Sequence, residues 1–409
     1  MSSAQVIKTN SDVWTLLNQP EIQETFRFID SEIDNITHEQ IRICEIPAPP
    51  FCEHERALYF QRRFNELGLT DVHIDQEGNC LGLRKGRRET PLLVISAHLD
   101  TVFPEGTEVT VSRVGQKLMA PGIADDCCGL VALTTIAGAL RSGKVETAGS
   151  ILFVATVGEE GEGNLRGVRH LMTTPRWGNR IDAFISFDGA EIDRITNQAL
   201  GSRRYRVTFR GEGGHSWGDF GVPNPVHAAG RAITKLASYP LPQQPRTTFN
   251  VGRIEGGSSV NAIPQEATIE VDLRSESAPE LLKLDAFFRR AVREATEDEN
   301  GVRRAGDKPL ELTVLLIGER PSGETSTDST LVQSALEATK AVGARARLNQ
   351  ASTDANLPIS LGIPAITVGG GGTSGNSHTL EEWYDPRGRD VGLKRAVLLT
   401  LAMVGVVET

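Results

Sequence analysis

The stretch PLLVISAHLD, residues 91–100, decides how this chain is read. It opens as an unbroken apolar run and ends in His98-Leu99-Asp100. A run without polar alternation fits a strand covered on both faces. Three further segments share the pattern: SILFVATV (150–157), IDAFISF (181–187) and IPAITV (363–368). Helical stretches separate them, and CCGLVALTTIAGALR (127–141) reads as a buried crossover helix. Buried strands alternating with helices predict an α/β domain with a mostly parallel sheet.

In such sheets the ligand site lies at the carboxyl ends of the strands. The residues just beyond each strand are therefore the candidates for chemistry. His98 and Asp100 close the first, Glu159 and Glu160 the second, Asp188 the third, and Gly369 to Gly372 with His378 the fourth. Asp125 and Asp126 precede the crossover helix. Two histidines with four or five carboxylates suit zinc, or manganese or cobalt, better than magnesium. So many ligands suit two ions sharing a carboxylate and a water, about 3.5–4 Å apart. Adjacent Glu159 and Glu160 provide one ligand and one general base. Asp100 is placed to accept a hydrogen bond from the His98 ring. Each piece alone has a plainer reading. Asp125-Asp126 can be a helix N-cap, a paired Glu a solvated surface, and the glycines a phosphate cradle, although no GxxxxGK pattern accompanies them. His38, His54, His73, His170 and His227 read as surface or core residues.

Elsewhere, residues 1 to about 45 read as helical, with Val13, Leu16, Leu17, Phe26 and Ile29 at apolar positions, until prolines 47, 49 and 50 stop the region. Residues 53–68 form an amphipathic helix closed by Gly68. Between 202 and 315 the order becomes βαββαβ, the split arrangement of a ferredoxin-like sandwich, which predicts a second domain inserted into the first. The expected division is 1–201 with 316–409, and 202–315. A length of 409 residues also favours two domains.

The formal net charge is −10, which argues against nucleic acid or an anionic membrane as partner. No stretch approaches the 18 or more apolar residues of a membrane span. The first residues lack a signal-peptide pattern. Five cysteines, an odd number without a CxxC pair, make a disulfide framework an unsuitable reading, and a cytoplasmic location is expected.

The segments SAHLDTVFP (96–104), PGIADDCCGL (121–130), TVGEEGEGNLRG (156–167), SFDGA (186–190), GEGGHSWGDFGVPNP (211–225), GGSSVNAIPQEATIEVDLR (256–274) and GGGGTSGNSHTLEEW (369–383) together resemble one family. It is the two-zinc exopeptidases and deacylases that include peptidase T, carboxypeptidase G, aminoacylase, acetylornithine deacetylase and carnosine dipeptidase. The resemblance implies a zinc-exopeptidase-like catalytic domain, with the inserted domain as lid and homodimer interface. It implies that His98 and Asp188 bind one metal, that Glu160 and His378 bind the other, and that Asp125 bridges them before a cis peptide. Glu159 becomes the general base, Asp100 the residue orienting His98, and His215 the oxyanion donor. Asn261 and Arg274 become substrate-binding. Many relatives carry Lys where Cys127 stands; Cys127 and Cys128 then read as buried small residues or, alternatively, as extra soft ligands.

Asp at 188 and the phrase GHSWGDFGVPNP look closer to the peptidase T side. The expected activity is metal-dependent hydrolysis of a terminal amide in small peptides, as an aminopeptidase or di/tripeptidase. The alternatives are an N-acyl-amino-acid deacylase and, in another class, an inactive metal-binding scaffold.

Overall fold

The computed structural model describes residues 12–302 and 307–407. The chain divides into two compact units, Met1–Ala199 with Glu324–Thr409, and Leu200–Gly323.

The first unit is built on a nine-stranded sheet among the described residues. At its centre run Ser150–Thr156, Leu92–His98, Ala183–Phe187 and Ala365–Val368, paired in that order and all parallel. Cys80–Arg84 and Thr70–Ile74 extend one side antiparallel. The four apolar runs are thus strands, each one or two residues shorter than the sequence pattern at one end.

Their lack of alternation has a direct cause. Successive side chains of a strand face opposite sides. Leu93, Ile95, Ala97, Ile151, Phe153 and Ala155 enter one apolar cluster, and Leu92, Val94, Leu152 and Val154 another. The first cluster is closed by helices Pro20–Cys44, Cys127–Ser142, Thr330–Ala341 and Arg389–Val404. The second is closed by Arg166–Thr173 and Asn356–Ser360. Both faces are covered, so both must be apolar. The helical reading of the first 45 residues resolves into Val13–Leu17 and Pro20–Cys44, and its first eleven residues lie outside the described ones.

Register places the chemistry. His98 pairs with Thr156, Ser96 with Ser186, and Val368 with Phe187. The chain therefore leaves all four strands on the same edge, and His98, Glu159, Glu160 and Asp188 emerge there. A small antiparallel sheet adds the remaining loops. Thr373–Gly375 pairs with Trp383–Asp385, which pairs with Lys117–Met119.

The second unit has the βαββαβ order: strand Gly201–Arg210, helix Pro225–Ala237, strands Thr247–Gly256 and Glu266–Ser275, helix Ala278–Asn300 and strand Glu311–Arg320. The sheet runs 247–256, 266–275, 201–210, 311–320, antiparallel throughout. Its inward side chains, among them Tyr205, Val207, Phe209, Ile269, Val271 and Leu273, pack on both helices in a separate core.

Candidate active site

His98 ends its strand and is buried, 2 % exposed. Its Nε2 lies 3.0 Å from Asp125 Oδ1. His378 Nε2 lies 3.2 Å from Asp125 Oδ2 and 2.8 Å from Glu160 Oε1. Asp125 thus presents one oxygen to each imidazole. Ligand atoms of His98, Asp125 and Glu160 all fall within 4.8 Å of one another. The peptide between Asp125 and Asp126 is cis, as the resemblance implies.

Asp188 comes directly after Phe187, and its N–H donates to Val368 O at 3.0 Å. Burial, and then the charge of Asp125, push its carboxyl up to about 6. The Asp125 carboxyl behaves oppositely. Burial pushes it up, but hydrogen bonds from His378 and His98 outweigh that and hold it below the usual range. His378 is raised to about 10 by hydrogen bonds to Asp125 and Glu160. Burial would drive the His98 imidazole down, yet the hydrogen bond to Asp125 and the charges of Asp126, Asp100 and Asp125 leave it well above its ordinary value.

Asp100 acts differently from the sequence expectation. His98 Nδ1 lies 2.9 Å from the main-chain oxygen of Asp100, and the Asp100 carboxylate is 3.8 Å away. That carboxylate instead accepts the N–H groups of Glu159 at 3.1 Å and Glu160 at 2.8 Å. The turn after the 150–156 strand leaves these two buried donors without a helix or ladder partner, and Asp100 supplies it.

Asp126 is a helix N-cap, accepting from Gly129 N at 3.0 Å through Oδ1, and it also accepts from His98 N at 3.2 Å through Oδ2. A Cβ at Gly129 would meet Phe187 O at 2.4 Å, so no larger residue fits. Cys127 and Cys128 are buried, and the Cys128 sulfur lies 2.9 Å from both Ala124 O and Gly189 O, one of which takes its single proton. Neither sulfur belongs to the cluster of ligand atoms. The glycines at 369–372 are explained by close backbone packing: a Cβ at Gly370 would meet Cys128 O at 2.7 Å, and one at Gly371 the Arg389 O at 2.6 Å.

Two buried acids escape the sequence reading. Glu382 accepts N–H groups of Gly122, Ala124 and Asp125. Burial is the main cause lifting its carboxyl to about 7. Asp354 accepts from the Thr156 hydroxyl at 2.6 Å, and burial lifts it to about 7. Glu382 stands four residues after His378, a spacing that signals nothing by itself.

In the second unit, Gly214–His215 pairs with Ala262–Ile263, so His215 and Asn261 share one exposed loop cluster. The His215 Nδ1 accepts N–H from Trp217 at 3.2 Å and Gly218 at 3.3 Å. Two N–H groups at Nδ1 assign the neutral ring's proton to Nε2. Asn261 Oδ1 accepts from Ser259 at 2.6 Å. Arg274 stands apart from both, near the far end of the Glu266–Ser275 strand and about 25 Å along it. Its Nε is 2.6 Å from Asp272 Oδ2.

The cluster in the first unit suits divalent cations. The Asp125 and Glu160 carboxylates meet the two imidazoles, and Asp188 feels the charges of Asp125 and His98. The raised histidines mark concentrated negative charge beside them, and Asp188, lifted first by burial, is lifted further by the charge of Asp125. The donors are imidazole nitrogen and carboxylate oxygen, the set that zinc, manganese or cobalt takes.

A family model for peptidase family M20/M25/M40 matches residues 94–403. The chain belongs to that family. Its M20 membership makes it a hydrolase. Among M20-like relatives, YqjE of Bacillus subtilis, an uncharacterized protein, is 26% identical over 371 residues, 86% of this chain and 91% of YqjE. The succinyl-diaminopimelate desuccinylase of Leptothrix cholodnii is 28% identical over 245 residues, 56% of this chain and 63% of that enzyme. Two solved M20-type structures share the fold. The aminopeptidase PepT of Bacillus cereus aligns with a TM-score of 0.71 at 21% identity, covering 91% of this chain and 98% of PepT. YXEP of Bacillus subtilis, described as a dinuclear metal binding peptidase from the M20 family, aligns at 0.68 with 18% identity, covering 92% and 100%.

Proposed function

We propose that this M20 hydrolase is a two-metal peptidase that cleaves a terminal amide bond of small peptides, as an aminopeptidase or di/tripeptidase. One observation carries the reading: Asp125 sets its two oxygens 3.0 and 3.2 Å from His98 and His378. A carboxylate so placed is arranged to be shared between two ions. His98 and Asp188 would hold one ion and Glu160 and His378 the other, and zinc is the metal that best fits the donors.

The ions, when bound, polarise the scissile carbonyl and lower the pKa of the attacking water. Glu159, 4 % exposed and beside the ligand Glu160, takes the proton from that water. It then delivers the proton to the leaving amine, so atoms and charge balance across the step. The Asp100 carboxylate fixes where Glu159 stands by gripping its backbone. His215 is assigned as oxyanion donor from the resemblance, and the N–H group received at its Nδ1 is compatible with a donating Nε2. Asn261 and Arg274 are assigned to holding the substrate backbone and carboxylate, and the inserted unit to forming a homodimer. A cytoplasmic location fits five free cysteines.

A second reading, N-acyl-amino-acid deacylase, is supported by the 28% identity to a desuccinylase. Hydrolysis of Ala-Ala-Ala, Gly-Leu, N-acetyl-Met and N-succinyl-diaminopimelate by protein loaded with zinc or cobalt, with and without chelator, separates the two. Chelator-sensitive cleavage of the unblocked peptides is expected. Cleavage of the acylated compounds alone would replace the peptidase reading with the second. No turnover of any of them would favour the scaffold.

A further inference from the structure

Glu382 is fully buried, 0 % exposed. Its oxygens take three backbone N–H groups of one loop: Oε2 from Gly122 at 3.0 Å, and Oε1 from Ala124 at 2.8 Å and Asp125 at 2.9 Å. Its main chain also receives Ala120 N at 3.2 Å. Immediately beyond it, Trp383 pairs with Met119 and Tyr384 with Leu118. Glu382 thus joins two loops that are about 260 residues apart in sequence. One loop ends in Asp125. The other contains His378.

A buried carboxylate is tolerated only when donors surround it, and buried N–H groups need acceptors. Here each need meets the other, so the two loops hold a fixed register. We propose that Glu382 is a positioning residue. By gripping the 122–125 backbone from the position just before strand Trp383–Asp385, four residues after His378, it sets the spacing of Asp125 and His378 and thereby the metal affinity of the site. The inference rests on reading those two residues as ligands.

The geometry also grades the variants. In Glu382→Gln the amide nitrogen, placed toward Gly122, leaves the Ala124 and Asp125 bonds intact and opposes one donor to another. Glu382→Ala loses all three bonds. Outer partners of metal ligands typically change affinity about 10- to 100-fold. Full-length protein stripped with chelator is titrated calorimetrically with Mn²⁺ and with Co²⁺, the visible spectrum of Co²⁺ reports ligand geometry, and circular dichroism controls for folding. Dissociation constants raised about 10-fold in Gln and about 100-fold in Ala, with an altered Co²⁺ spectrum, are expected. A residue serving only the fold would lower stability and leave the affinity of the folded molecules unchanged.

Affinity within threefold of the parent in folded Glu382→Ala overturns the proposal. If that variant does not fold, unchanged affinity and spectrum in Glu382→Gln do so. A parent protein that takes up no metal overturns the ligand reading and this inference together. A parent that binds metal but cleaves no amide overturns the proposed activity alone, because the readout here is affinity.

Discussion

Replacing Asp100 separates two ways in which it can serve the site. Its carboxylate is 0 % exposed and accepts two backbone N–H groups, those of Glu159 and Glu160. A hydrogen bond to a charged acceptor contributes about 1.5–3 kcal/mol, and a buried donor left unpaired costs about 1–3 kcal/mol. Asp100→Ala should therefore destabilise by about 2–4 kcal/mol. Asp100→Asn keeps one acceptor and turns an amide toward the other N–H, so about 1–2 kcal/mol is expected. The His98 ring should hardly notice, because its Nδ1 bonds to the main-chain oxygen of residue 100, which every substitution retains. The loss should fall on the 158–160 turn. A displacement of about 1 Å there lowers kcat on the order of 100-fold. Urea unfolding of chelator-treated protein gives the stability change free of metal binding, and kcat on the best substrate gives the other. Both variants within about 0.5 kcal/mol of the parent would refute the reasoning. Loss of the ion at His98, with the Glu160–His378 ion kept, would restore Asp100 to orienting His98.

The titrating groups and the inserted unit give three more tests. His378 is raised to about 10 by hydrogen bonds to Asp125 and Glu160, so a metal must displace its proton, affinity should climb about tenfold per pH unit per proton released, and calorimetry in two buffers of different ionisation enthalpy should give different heats. Identical heats would count against a protonated His378. Asp354 is raised to about 7, chiefly by burial, so the stability it contributes is complete below about pH 4 and is lost as pH rises through 7. Asp354→Asn lacks that loss and should gain on the parent by about 3 kcal/mol between pH 5 and 8, whereas parallel curves of melting temperature against pH would contradict the shift. His215→Ala should lower kcat about 10²–10³-fold with little change in KM, and unaltered kcat would remove it as oxyanion donor.

Much of the first unit is legible in the sequence because its central strands carry no alternation. Leu93 and Val94 go to different cores, so the run must be apolar throughout. The candidate ligands are legible for a related reason. His98 and Asp188 stand at or just beyond the point where an apolar run ends, and parallel register then carries them to one edge. Asp125 and His378 are candidates by position, before the crossover helix and after the fourth strand, and the resemblance supplies their roles. The inserted unit shows its order through ordinary alternation, as in Glu266–Ser275, where residues at every second position are buried. Hydrogen bonds from side chain to distant backbone are not legible. The bond from His98 N to Asp126 spans 28 residues, that from Glu160 N to Asp100 spans 60, and those to Glu382 span 257 to 260. None of these leaves a pattern in the sequence, since any acidic residue looks the same whether it meets water, a metal or an amide. For that reason spacing pairs Asp100 with His98 without telling that the contact runs through the main-chain oxygen, and is silent on Glu382.

Those bonds have a common logic. Asp126 holds the backbone of His98, Asp100 that of Glu159 and Glu160, and Glu382 that of Asp125. In each case a buried carboxylate grips the main chain of a residue assigned to the cluster or next to one. A metal ligand positioned through its own side chain alone would keep its rotamer freedom and would swing when the ion leaves. A ligand whose backbone N–H is fixed cannot move its Cα, so its search is confined to one or two side-chain angles. The arrangement also concentrates negative charge: Asp100, Asp126, Glu382, Asp125, Glu160 and Asp188 crowd one strand edge, and burial lifts Asp100, Asp126, Asp188 and Glu382 together. Such crowding destabilises the metal-free fold and favours whatever brings positive charge. Metal loading should therefore raise the melting temperature, and more so above pH 7, where more of these carboxyls are ionised. A melting temperature indifferent to zinc at pH 8 would mean that the backbone bonds alone offset the crowding.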